Sequence, residues 1–147
     1  MKFVHTNIIT QDWQRLADFY VQVFACEVVP PERDQSGDWL ERGTGVPNAH
    51  LRGVHLRLPG YGEHGPTLEV YQYADNLQAP SSLSNRVGFR HIAFEVEDVR
   101  AVCAQVVAHG GTAYGEIIET SVAGKGALTF AYVKDPDGNL IEIQRWG

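Results

Sequence analysis

The chain alternates between two hydrophobic periods, and it does so twice. Residues 3–9 place Phe3, His5, Asn7 and Ile9 on one side and Val4, Thr6 and Ile8 on the other, the two-residue period of a strand. Asp12 follows, positioned to accept from the first free amides of a helix. Trp13, Leu16, Ala17, Phe19, Tyr20, Val23 and Phe24 then fall on one broad stripe. From Gly88 the pattern returns, with Ile92, Phe94 and Val96 on one face and His91, Ala93 and Glu95 on the other. At Asp98 the period turns helical again, through Val99, Val102, Cys103, Val106 and Val107, until His109-Gly110-Gly111 stops it.

Three strands are predicted after each helix. In the first half these are Glu27–Val29, ended or kinked at an edge by Pro30-Pro31, then Leu51–Leu58 and, past the turn Gly60–Pro66, Thr67–Tyr73. The polar, glycine-containing region Glu32–Ala49 reads as a mobile loop, with Trp39 and Leu40 as a short strand within it. In the second half the strands are Ala113–Ile118, Leu128–Lys134 and Leu140–Arg145, the last two joined by the turn DPDGN. Small polar residues and a proline around PSSLSN mark a linker. The expected architecture is a single α+β domain over residues 1–147. Its two βαβββ modules, 1–75 and 88–147, are joined by a linker over 76–87 and form a curved mixed sheet with the helices on its outer face.

Composition narrows the function. A net charge of −6 argues against a general nucleic-acid surface or an anionic membrane, while leaving room for a small anionic ligand held by a local arginine. No apolar run is long enough for a membrane span or a signal peptide. Cys26 and Cys103 both fall on apolar helix sides, as buried thiols of a reducing compartment would. A cytoplasmic protein acting on a small molecule is expected.

The repeat also places chemistry. Each half carries a histidine early in its first strand and a glutamate midway through its last, His5 with Glu69 and His91 with Glu142. Val4, Ile8, Leu68, Val70, Ile92, Phe94, Ile141 and Ile143 occupy the opposite faces and can pack on the helices, so the four polar groups share the concave side. Two imidazoles and two carboxylates in a partly dry cavity are costly unless paired. A divalent transition metal (nickel, zinc, cobalt, manganese or iron) would pair them and keep positions open for substrate. Two unrelated His–Glu ion pairs would give the same pattern.

By strand parity Asn7 and Ile9 accompany His5, Tyr71 and Tyr73 accompany Glu69, and Gln144 and Trp146 accompany Glu142. These residues line the expected pocket or simply pack across the sheet. Lys125, in AGKG, could close over an anionic substrate, although the segment lacks the spacing of a phosphate-binding loop. His50, His55, His64 and His109 have no partner pattern and read as surface or structural; Arg90 and Arg145 fall on the opposite face.

HTNI at 5–8, LEVY at 68–71, GFRHIAFEVEDV at 88–99 and DPDGNLIEI at 135–143 resemble the vicinal oxygen chelate superfamily of glyoxalase I, bleomycin-resistance proteins and extradiol dioxygenases. The His, Glu, His, Glu set is similar to the bacterial glyoxalase I ligand pattern. The resemblance implies a metal-dependent lyase or isomerase, with Glu142, and secondarily Glu69, as the base that moves a proton beside two chelated oxygens. Epimerases and extradiol dioxygenases of the same superfamily are the alternative, as is a non-catalytic binding protein of bleomycin-resistance type. The resemblance further implies a homodimer, since half-sites in this superfamily come from one chain or are exchanged between two. One position departs from the pattern: Ile9 stands where bacterial glyoxalase I has an arginine for the glutathione carboxylate.

Overall fold

The computed structural model describes residues 1–78 and 83–147, which fall into two compact units, 1–78 and 79–147. Residues 79–82, in the predicted linker, lie outside the described residues.

The first unit runs β1 (His5–Ile9), α1 (Trp13–Phe24), β2 (Glu27–Ser36), α2 (Asp38–Thr44), β3 (His50–Arg57) and β4 (Thr67–Tyr73). Its four strands are ordered β1-β4-β3-β2, with β1 parallel to β4 and the other pairs antiparallel. Asp12 caps α1 by accepting from the Arg15 amide, and Ala25 closes it in the left-handed conformation. The stripe of α1 buries Leu16, Phe19, Tyr20 and Val23 against the sheet face that carries Val54, Leu56, Leu68 and Val70. Phe19, Tyr20 and Phe24 pack ring against ring, with Phe19 and Tyr20 edge-on at 5.3 Å.

The second unit repeats the plan with β5 (His91–Glu95), α3 (Val99–Ala108), β6 (Thr112–Val122), β7 (Gly126–Lys134) and β8 (Leu140–Trp146), in the order β5-β8-β7-β6. Asp98 caps α3 through the Ala101 amide. Val99 and Val106 of α3 are buried, as are Ala131, Val133, Ile141 and Ile143 of the sheet. The buried carboxylate of Asp135 accepts from the amides of Asp137 and Asn139 and from Asn139 Nδ2, which fixes the turn between β7 and β8.

Several expectations are corrected. Pro30-Pro31 does not end β2. The strand passes through both prolines, because it is an edge strand and the register shifts between Val29 and Arg33, where the missing amides break no ladder. Glu32–Ala49 is not a loop: its first part extends β2, and Trp39 and Leu40 lie in α2 rather than in a strand. Leu40 packs with Ala49, Leu51 and Tyr71, and with the half-buried Val46 and Tyr73. Leu51, Tyr71 and Tyr73 alternate with the residues beneath α1, so α2 covers the opposite face of the sheet. Val4 precedes β1 and is exposed, and Val107 lies outside the α3 stripe at 55% exposure. Residues 88–90 precede β5 rather than opening it, and β6 is longer than expected. Cys26 is buried just past the end of α1, and both cysteines are free.

Candidate metal and proton-transfer site

In the first unit the site is built around Glu69, midway along β4. Register sets Asn7 of β1 beside it on one side and His55 of β3 on the other. Direct cross-strand partners share a face, so all three side chains emerge together. His5 lies two residues ahead of Asn7 on the same face of β1. His5 Nδ1 stands 3.5 Å from Glu69 Oε1, and His55 Nε2 stands 3.3 Å from the same oxygen. Asn7 Nδ2 donates to Glu69 Oε2 at 3.4 Å. The Glu69 side chain is only 14% exposed, so these neighbours supply most of its polar surroundings.

The second unit reproduces the frame with different side chains. Glu142 of β8 is flanked in register by Ala93 of β5 and Tyr132 of β7. His91 Nε2 stands 3.1 Å from Glu142 Oε2, and Tyr132 Oη donates to that oxygen at 3.1 Å. The rings of His91 and Tyr132 meet edge to face at 5.2 Å.

Burial and charge set the protonation of the flanking groups. Burial pushes the His55 imidazole below the usual histidine range; the Glu69 carboxylate opposes this, while Arg33 and His5 add to it. His55 is therefore a neutral imidazole at pH 7, and its Nε2 lies 2.5 Å from Tyr71 Oη. Burial, reinforced by the Glu69 charge, holds the Tyr71 hydroxyl above its ordinary value. Tyr132 is raised by burial, by its hydrogen bond to Glu142 and by that carboxylate's charge. Both phenols are thus proton donors, not phenolates, at pH 7.

The remaining predicted residues separate. Ile9 lies on the Glu69 face of β1 and is 43% exposed, and Tyr73 packs beside the Leu40 cluster. Gln144 and Trp146 follow Glu142 on one face of β8, and Lys125 places its ammonium 5.6 Å from the centre of the Trp146 ring. His50 pairs with Asp34 at 2.6 Å, and His109 caps α3. Sequence reasoning gave no partner to His55, which contacts Glu69, and passed over Tyr132, which answers it in the second unit. Both could have been found by folding each hairpin about its turn, since each is the residue that mirrors a predicted glutamate.

Imidazole nitrogen and carboxylate oxygen are donor types that a divalent transition metal accepts. Two nitrogen or oxygen atoms bound to one ion at about 2.1 Å and near-octahedral or tetrahedral angles stand about 3.0–3.4 Å apart. The histidine–carboxylate separations of 3.1–3.5 Å are close to that spacing. Among the described residues no group of three or more His, Cys, Asp or Glu side chains is arranged to hold an ion. Each unit instead presents a histidine–carboxylate pair.

The pattern of the Glyoxalase/Bleomycin resistance protein/Dioxygenase superfamily matches residues 2–143. A probable lactoylglutathione lyase of Vibrio parahaemolyticus is 26% identical, covering 97% of this chain and 88% of the relative. A lactoylglutathione lyase of Neisseria meningitidis is also 26% identical, over 97% and 89%. Among solved structures, a glyoxalase family protein from Bacillus cereus superposes with a TM-score of 0.84 at 16% identity, covering 100% of this chain and 95% of that one. A glyoxalase family protein from Enterococcus faecalis is 26% identical with a TM-score of 0.59, covering 97% and 96%.

Proposed function

We propose that this chain, which belongs to the Glyoxalase/Bleomycin resistance protein/Dioxygenase superfamily, is a metal-dependent lyase or isomerase of glyoxalase type. One observation carries the reading. At equivalent positions in two units the fold sets an imidazole nitrogen 3.1–3.5 Å from a mostly buried carboxylate. The proposed ligands of a divalent transition metal are His5, Glu69, His91 and Glu142. The names of the lactoylglutathione lyase relatives support a hemithioacetal as the substrate to test first.

A divalent metal held there would supply positive charge that stabilises the negative charge on two neighbouring substrate oxygens as a proton leaves one of the two adjacent carbons that bear them. The chain's own groups do the rest. Glu142 takes that proton and returns it to the adjacent carbon, completing an isomerisation with no net change in protons. Its Oε2 accepts from Tyr132 and faces His91, which leaves Oε1 outside these contacts as the oxygen to take the proton. Glu69 is held more firmly, by His5, His55 and Asn7 together, which suits a ligand that stays in place. Opposite Glu142 the position of Asn7 is taken by Ala93, which makes no polar contact with the carboxylate.

The test is metal analysis of the purified protein, followed by assay with methylglyoxal and glutathione after loading with nickel or zinc. Glu142→Gln should keep the metal and lose at least about 100-fold in turnover, the scale of removing a positioned general base. Full turnover in that variant would overturn the assignment of the base. Failure of the wild type to take up any of these metals would overturn the metal reading.

A further inference from the structure

The face of the first sheet beneath α1 changes character toward one end. Val54, Leu56, Leu68 and Val70 lie under the helix and are buried. Two positions further along come Arg52 and Gln72, direct partners in register, and beyond them His50 and Ala74. Strand alternation puts all of these on the side opposite Glu69 and His55. A core continuing under the helix would need apolar residues here. Instead a cavity of about 380 Å³ opens between helix and sheet, lined by Trp13 and Gln14 from α1 and by His50, Arg52 and Gln72 from the strands.

The internal repeat shows what keeps this space open. Gln14 stands two residues after the capping Asp12, as Arg100 stands two after the capping Asp98. In the second unit the row Glu119, Thr129, Arg145 takes the place of the row Asp34, Arg52, Gln72. There Arg100 reaches from the helix to the edge strand and pairs with Glu119 at 3.0 Å. In the first unit the acid is matched from within its own sheet. His50 Nε2 stands 2.6 Å from Asp34 Oδ1, and Arg52 Nε stands 3.0 Å from Asp34 Oδ2. The helix then supplies only a shorter, uncharged side chain. The amides of Gln14 and Gln72 have no hydrogen-bond partner among the side chains and carbonyls of the described residues.

The uncommitted groups define a ligand. Arg52 and His50 are already matched to Asp34, and no carboxylate lines the cavity, so a charged molecule finds no unmatched charge there. What remains is two primary amides, each both donor and acceptor, and the half-buried indole of Trp13. A glutamine amide pairs through two hydrogen bonds with the donor–acceptor edge of adenine, and an aromatic face takes a base by stacking. We propose that this cavity is a second binding site, on the sheet face opposite Glu69, for a planar nitrogen heterocycle with an adenine-like edge. Its volume lies within the range of small-molecule sites. Two sources share that chemistry, a free base and the base of a mononucleotide. The site depends neither on the glyoxalase-type reading nor on a metal.

Calorimetric titration of the full chain with adenine, adenosine monophosphate and 6-dimethylaminopurine tests this, with nickel content measured on the same samples. Adenine or the nucleotide should bind saturably, and the dimethylated base, which lacks the exocyclic donor, should bind about fivefold more weakly. Gln14→Arg should close the cavity as Arg100 does and abolish binding without changing nickel content. Gln72→Leu, on the sheet side, should weaken binding about fivefold and Trp13→Ala about tenfold, which keeps the test decisive if Gln14→Arg folds poorly. His5→Ala, on the opposite face, should bind the base as the wild type does. Preference for adenine or for the nucleotide identifies the source of the base. No binding of either, equal binding of the dimethylated base, or binding that Gln72→Leu and Trp13→Ala leave intact overturns the proposal. A wild type that takes up no nickel yet binds adenine through Gln72 overturns the metal reading and sustains this one.

Discussion

Glu69 and Glu142 occupy equivalent positions, yet one is gripped by two imidazoles and an amide and the other by an imidazole and a phenol. Tyr132→Phe tests how far that difference matters. Losing a hydrogen bond to a charged group should lower turnover of the loaded enzyme roughly tenfold with little change in metal content, as steady-state kinetics and metal analysis would show. At the opposite sheet edge Asp34 provides a pH handle. Its hydrogen bond with His50, helped by Arg52, holds its carboxyl below the ordinary value. A carboxyl lowered in the folded state contributes stability above its unfolded pKa and loses it as pH falls through the folded one. Asp34→Asn should therefore melt below the wild type near neutral pH, and the two melting curves should converge once the wild-type carboxyl is protonated. The thiols offer a third check. Burial pushes Cys26 up to about 12 and raises Cys103 less severely. Native protein should let iodoacetamide reach Cys103 alone, and urea should expose both, as counted by mass spectrometry. At this scale the sequence revealed the histidines and glutamates, because strand parity and the repeat specify them. It concealed His55 and Tyr132, because their contacts with the glutamates depend on which strands become neighbours.

Among the elements, α2 departs most from expectation. Asp38–Thr44 has a single buried residue, Leu40, so no hydrophobic period announces a helix in a stretch that composition assigns to a loop. What stabilises it is tertiary contact with Leu51 and Tyr71. Leu40→Ala should cost about 2–4 kcal/mol in urea denaturation, the range for truncating a buried leucine. By contrast α1 was legible nearly to the residue: a strong stripe, an aspartate cap and a following strand agree with one another. The strands β3, β4, β7 and β8 were legible because each buries one face, whereas β6 is exposed along most of its length and its alternation carries little information.

For the whole molecule, the succession of two βαβββ modules was readable from the doubled strand–helix pattern, whereas the spatial orders β1-β4-β3-β2 and β5-β8-β7-β6 depend on strand pairings that the pattern does not specify. No helix among the described residues is long and apolar enough to cross a membrane. A metal that binds the folded chain and not the unfolded one stabilises it by mass action. Saturating nickel at about 100 times its dissociation constant should raise the melting temperature by about 5–10 °C, and a chelator should reverse the shift in differential scanning calorimetry. His5→Ala should abolish the response.

The prolines of β2 carry a last consequence. An outermost strand presents a row of unpaired amides and carbonyls that any extended segment could join. Pro30 and Pro31 have no amide hydrogen to offer, and the shifted register beside them interrupts the row. The same stretch that brings Arg33 round to the Glu69 face therefore denies a second chain a continuous template, so this flank of the sheet is guarded against runaway strand addition while the protein is being made and concentrated.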